Sequence, residues 1–142
     1  MLRFMNDGDF RLQSIGFVRS RIASRDQAPC QGDEGAPDAW IEILAPFVSG
    51  LLGLAPGAEL LIFTWLHRAE RQTLQVRPRR RADAPLTGVF ATRSPDRPNP
   101  IGLHRATLVE IDGNRLRVDP LEAIDGTPVV DIKPLLRTIE ER

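Results

Sequence analysis

"RATLVEIDGNRLRVD", residues 105–119, alternates apolar and polar side chains on either side of a central Asp-Gly-Asn. A period of two belongs to a strand with one buried face, and Asp-Gly-Asn between two such runs marks a tight hairpin. A lone hairpin cannot bury its apolar face, so further strands must complete a core. Reading outward finds them. Upstream, "AELLIFTWLH", residues 58–67, is a nearly continuous apolar run, as expected of a strand buried on both faces or closing a barrel, with His67 where it ends. "WIEIL", residues 40–44, alternates, and residues 12–19 carry β-branched and aromatic side chains in partial alternation. "RQTLQVRP", residues 71–78, and "TGVFATR", residues 87–93, read as two more short strands. Downstream, "LEAIDGTPVVDI", residues 121–132, repeats the idea of two strands, with "DGTP" as the connection.

One segment carries a helical signal. "APFVSGLLGLAPG", residues 45–57, has Pro46 at a first turn, apolar Phe47, Val48, Leu51 and Leu52, and glycines at its far end. Residues 23–39 show no apolar period and read as a long surface loop, of a length that is functional or disordered in compact domains. The order of elements lacks an alternating βαβ pattern. The expected fold is therefore mainly β: a single small β-barrel of about seven or eight short strands with one short helix. With 142 residues the chain fits one domain, 1–142, and no repeat or low-complexity stretch divides it.

Composition excludes several classes. The apolar and charged fractions, 42% and 27%, are those of an ordinary soluble protein, and no apolar run approaches the roughly 20 residues that span a bilayer. The first residues lack the basic start and long apolar stretch of a secretory signal, which leaves the cytoplasm as the default. Cys30 is the one cysteine, so neither an internal disulfide nor a structural zinc site staples the fold. Nothing near Cys30 in sequence depresses its pKa, and it is not read as a nucleophile. The sequence has no P-loop, no GxGxxG after a strand, no GxSxG elbow and no metal-spaced cluster of His and Cys. Hydrolase and metalloenzyme readings lose weight, and any chemistry here depends on positioning more than on a metal.

The 19 basic and 19 acidic residues cancel, so the overall charge predicts neither nucleic-acid nor membrane binding. The distribution is uneven. Arg77, Arg79, Arg80, Arg81, Arg93, Arg97 and Arg105 face only Asp83 and Asp96, an excess of five positive charges over residues 77–105. Arginine suits bidentate phosphate contacts, and compositional bias accounts for the same pattern without a binding role.

Within this basic segment lies "GVFATRSPDRPNPIG", residues 88–102. Pro95, Pro98 and Pro100 fix their own φ, lack amide donors and restrict Ser94, Arg97 and Asn99 before them. The segment is neither an interior strand nor a helix; it is a stiff loop displaying Arg93, Ser94, Asp96, Arg97 and Asn99. Two readings stay open: a preorganised ligand-binding wall, or a rigid corner whose polar groups brace its neighbours.

Taken together, "IGFVRS" (15–20), "WLHRA" (65–69), "GVFATRSPDRPNPIGLHRATLVEI" (88–111) and "DGTPVVDIKP" (125–134) closely resemble the TrmO family, also called TsaA-like, of S-adenosylmethionine-dependent tRNA N6-adenine methyltransferases. The match runs with gaps over about residues 12–135. The resemblance implies a β-barrel unlike the doubly wound methyltransferase fold, a homodimer, and methylation of N6 of threonylcarbamoyladenosine beside the tRNA anticodon. It implies that S-adenosylmethionine contacts Pro29, Cys30 and Gln31; His67 and Arg68; Arg93; Leu103; and Ala123, Ile124, Asp125 and Gly126. Arg79, Arg80 and Arg81 are then the expected contacts to anticodon-loop phosphates. No metal and no membrane are implied.

Two departures stand out. Cys30 occupies the place of the arginine in the family's Pro-Arg-Gln motif, and the chain looks like a short form, without the smaller C-terminal domain of longer relatives. The alternatives are an S-adenosylmethionine-dependent enzyme with another acceptor, or a non-catalytic barrel that binds RNA or a ligand. Asp125 and Asp131 are possible bases by type, with neither singled out.

Overall fold

The computed structural model describes residues 10–25, 35–77 and 83–137. Among these residues eight strands form: β1 (Gly16–Arg19), β2 (Ala39–Ile43), β3 (Glu59–Trp65), β4 (Gln75–Val76), β5 (Thr87–Gly88), β6 (Ile101–Asp112), β7 (Arg115–Asp119) and β8 (Pro128–Pro134). Six of them close a barrel in the order β1-β2-β7-β6-β3-β8, while β4 and β5 pair as a separate ribbon. All the pairings are antiparallel.

The hairpin at residues 105–119 is the hinge of this arrangement. Asp112 pairs with Arg115, leaving a two-residue turn in which Gly113 takes φ 61. A glycine at the first central position is what a type II′ turn needs, and that turn matches the twist of its strands. The next residue secures the tip: Asn114 Nδ2 donates to the Ile43 carbonyl at 2.8 Å, and Ile43 N–H donates to the Asn114 carbonyl at 2.8 Å. β6 is long enough to serve two neighbours, pairing with β3 over its first half and with β7 over its second.

β3 alternates fully, with Leu60, Ile62 and Thr64 buried and the residues between them half-buried. The apolar run therefore closes a barrel and is not sandwiched between layers. Val18, Ile41, Ile43, Leu60, Ile62, Leu108, Leu116, Val118, Leu121 and Val129 fill the interior. Each contributes about 1.5–3 kcal/mol relative to exposure.

The segment at Ala45–Leu51 is a 3-10 helix, with Pro46 in its first turn and Phe47, Val48 and Leu51 packed against the core. It follows the end of β2 and so covers one end of the barrel. The opposite end is where β3 finishes and β6 begins.

Three expectations are corrected. Residues 87–93 are not one strand: after Thr87–Gly88 the chain turns into a 3-10 helix at Val89–Ala91. Residues 121–125 form no strand; Leu121 and Ala123 are buried in the core cluster, while Leu121 N–H and Asp125 N–H bond to the carbonyls of Pro37 and Ile22. The segment crosses the barrel end, and only Pro128–Pro134 joins the sheet. The first strand starts at Gly16 and not at residue 12, and Gly16 itself lies so close to β2 that a Cβ there would strike the Glu42 carbonyl. No helix among the described residues is long and apolar enough to cross a membrane.

Candidate functional site

A cavity of about 420 Å³ opens at this end. Its wall is built from the exit of β3 (Leu66, His67, Arg68, Ala69), the proline-rich loop (Thr92 to Arg97), the start of β6 (Ile101 to His104) and the crossing segment (Glu122, Ala123, Ile124). Arg25, Val76, Arg77 and Thr127 also line it. A mostly apolar concavity of this size with a few convergent polar groups is the usual form of a small-molecule site.

The proline-rich loop is held from several sides. Arg25 Nη2 lies 2.9 Å from both carboxylate oxygens of Asp96, and Asp96 Oδ1 also accepts from the Glu70 amide at 2.9 Å. Arg97 points back into its own loop. Its guanidinium donates to the carbonyls of Val89, Thr92 and Ser94, and its amide donates to the Glu70 carbonyl. Asn99 Oδ1 faces Arg71, whose Nε donates to the Pro98 carbonyl at 2.9 Å and whose guanidinium lies 5.1 Å from the Trp65 ring centre. The bracing role thus falls to Asp96, Arg97 and Asn99, although Asp96 and Arg97 also form part of the wall. Arg93 differs, holding a single 3.2 Å bond to the Leu103 carbonyl.

Part of the wall belongs to a buried polar chain. His104 Nε2 is 2.7 Å from Thr64 Oγ1, and His104 Nδ1 is 2.6 Å from Glu122 Oε1. Bonded to a carboxylate, Nδ1 is the donor; in the neutral ring Nε2 then accepts the Thr64 hydroxyl. Gly102 makes room for this contact, since a Cβ there would come within 2.7 Å of His104 Nε2 and closer still to Thr64 Oγ1. Glu122 Oε2 is enclosed and has no hydrogen-bond partner among the described residues.

Of the residues singled out in the sequence, His67, Arg68, Arg93, Leu103, Ala123 and Ile124 line one cavity. Asp125 and Gly126 stand outside its wall: Asp125 Oδ1 accepts from the Ser20 amide at 3.0 Å, and the Gly126 amide donates to the Val18 carbonyl at 2.8 Å. These two residues fasten the crossing segment to β1 and its exit, and Gly126 takes φ 83, which a side chain would strain. Asp131 sits on β8, 2.8 Å from Lys133 Nζ, and is likewise outside the wall. Pro29, Cys30, Gln31, Arg79, Arg80 and Arg81 lie outside the described residues.

Partial burial and the neighbouring Arg68 charge push the His67 pKa below its ordinary 6.5. Sequence reading overlooked Arg25, His104 and Glu122. For His104 a signal existed: it shares the alternation of Gly102, Ala106 and Leu108, all on the buried face of β6. No cluster of His, Cys, Asp and Glu among the described residues could hold a metal ion.

Residues 17–141 match the family model described as the tRNA-methyltransferase O N-terminal domain. A Methanothermobacter thermautotrophicus protein named "Probable S-adenosyl-L-methionine-binding protein" is 40% identical over 136 residues, covering 96% of this chain and 97% of its own. A protein of the same name from Archaeoglobus fulgidus is 45% identical over 130 residues, 92% of this chain and 35% of its own. A crystal structure of TrmO from Pseudomonas aeruginosa superimposes with a TM-score of 0.73 at 28% identity, covering all of this chain and 62% of that one. The chain thus spans less than two thirds of that TrmO and about a third of the Archaeoglobus relative.

Proposed function

Because this chain belongs to the tRNA-methyltransferase O N-terminal domain family, we propose that its cavity binds S-adenosylmethionine and that the protein methylates N6 of threonylcarbamoyladenosine beside the tRNA anticodon. The observation that carries this reading is convergence: six residues from four separated stretches, chosen from the family resemblance, meet in the wall of one cavity.

The wall suits the cofactor. Leu66, Ile101, Leu103, Ala123 and Ile124 offer apolar surface for a purine, and Arg68 and Arg93 offer guanidinium groups for a carboxylate. Bound there, S-adenosylmethionine supplies an electrophilic methyl group with its own leaving group, so the transfer needs no metal. The protein's contribution is alignment. The braced loop from Thr92 to Asn99 gives that alignment a fixed wall, and Asp125 and Gly126 act from behind by anchoring the segment that carries Ala123 and Ile124.

Pro29, Cys30 and Gln31 are proposed to complete the cofactor's surroundings. Arg79, Arg80 and Arg81 are proposed to meet anticodon-loop phosphates, where a charge contact is worth more at low salt. A homodimer belongs to the same proposal, and the exposed Leu74, Leu86 and Phe90 on and beside the β4–β5 ribbon offer apolar surface for it.

Two measurements test the reading. Calorimetric titration with S-adenosylmethionine should give saturable heat, and its absence would favour a barrel that is not an enzyme. Nucleoside analysis of tRNA from a deletion strain should lose N6-methylated threonylcarbamoyladenosine. An unchanged level would direct the search to another acceptor.

A further inference from the structure

The wall described above is strongly basic, bringing together Arg25, Arg68, Arg77, Arg93 and Arg97. Among the described residues its acidic members are Asp96 and Glu122. Asp96 is engaged by Arg25 and by the Glu70 amide. Glu122 is placed differently: its side chain is only 10% exposed, one oxygen is fixed by His104, and the other has no partner. An enclosed carboxylate oxygen without a protein donor is unfavourable, and persists where a bound ligand, ion or water completes it. The rigidity around it is consistent with that, since His104 is itself held by Thr64 beneath Gly102.

Resting on the reading of the cavity as an S-adenosylmethionine site, we propose that Glu122 is the counter-charge for the amine of the cofactor's amino-acid end. An ammonium entering a cavity lined by five arginines is repelled unless a carboxylate faces it, and Glu122 is the wall carboxylate whose oxygen lacks a donor. The ammonium donates to Oε2, while the cofactor's carboxylate is left to the arginines. His104 and Thr64 are positioning residues that keep Oε1 occupied and leave Oε2 without a donor among the described residues.

The test compares S-adenosylmethionine, S-adenosylhomocysteine and 5′-methylthioadenosine, the last lacking the amine, by calorimetry on the full chain. Wild type comes first: if it does not bind S-adenosylmethionine, the underlying reading fails and not merely this inference. In Glu122→Met, affinity for the two amine-bearing ligands should fall at least tenfold while affinity for 5′-methylthioadenosine stays within about twofold. An equal loss for all three ligands, or no loss, overturns the proposal. Should Glu122→Met fail to fold, Glu122→Gln decides by the same pattern. Gln gives His104 its carbonyl oxygen and turns an NH2 toward the amine. For the positioning residue, His104→Asn retains a donor toward Glu122 and should keep the preference for amine-bearing ligands, while His104→Leu should lose it. Equal behaviour of the two His104 variants would remove His104 from the account.

Discussion

Arg25 Nη2 stands 2.9 Å from both carboxylate oxygens of Asp96, joining the chain just beyond β1 to the tip of a proline-rich loop 71 residues later. Both side chains are partly buried, at 31% and 25% exposure. That places the pair between a screened surface contact and a fully enclosed one. Asp96→Ala removes the pair and also frees the Glu70 amide. Thermal melting should fall by about 3–8 °C, corresponding to about 1–2 kcal/mol. A melting temperature equal to that of the wild type would show the contact to be incidental.

Arg97 and Arg93 should separate cleanly. Arg97 holds the carbonyls of Val89, Thr92 and Ser94 with a planar fork that an ammonium cannot copy, so Arg97→Lys should lower both melting temperature and cofactor affinity. Arg93→Ala gives up one long bond to the Leu103 carbonyl, so the fold should keep its melting temperature while S-adenosylmethionine affinity falls roughly tenfold. A large melting loss in Arg93→Ala with normal affinity would return that residue to a purely bracing role.

How far the sequence foretold this arrangement differs by element. The period of two at residues 105–119 and the tight turn at Gly113 follow from local rules, because one buried face imposes them, whereas the inward set of Leu60, Ile62 and Thr64 is hidden in a nearly continuous apolar run and is set by closure of the barrel. Residues 121–125 misled. Leu121 and Ala123 are buried as strand residues would be, yet the amides of Leu121 and Asp125 go to single carbonyls, those of Pro37 and Ile22, a tertiary choice that alternation cannot register. The stiffness of residues 93–100 was legible from its prolines. Which polar groups turn inward was not, since that depends on Arg25, Glu70 and Arg71, which are distant in sequence. The site inherits this division, with His67 and Arg93 suggested by motif and Glu122 visible only once His104 is placed beside it.

Gly102→Ala tests the packing under the cavity. A methyl group there meets the Thr64 hydroxyl and the His104 ring at once, so the urea midpoint should drop by the equivalent of about 1–3 kcal/mol, with an unchanged slope. Wild-type stability in this variant would mean that the Thr64 and His104 contact is loose.

His67 should titrate below 6.5, because partial burial and Arg68 both disfavour its proton. The chain has two histidines, so proton NMR resolves each ring. The folded ring binds its proton less readily than the unfolded chain does. Its contribution to stability is therefore intact above pH 6.5 and is lost as the pH falls through the lowered folded value. His67→Gln should flatten that dependence, and a midpoint at or above 6.5 would contradict the assignment.

The most direct measurement is a crystal structure of this chain grown with S-adenosylmethionine. The account predicts ligand density in the cavity between His67, Arg93, Leu103 and Ala123, with the amine toward Glu122. Density at another surface, with this cavity holding only solvent, would contradict it.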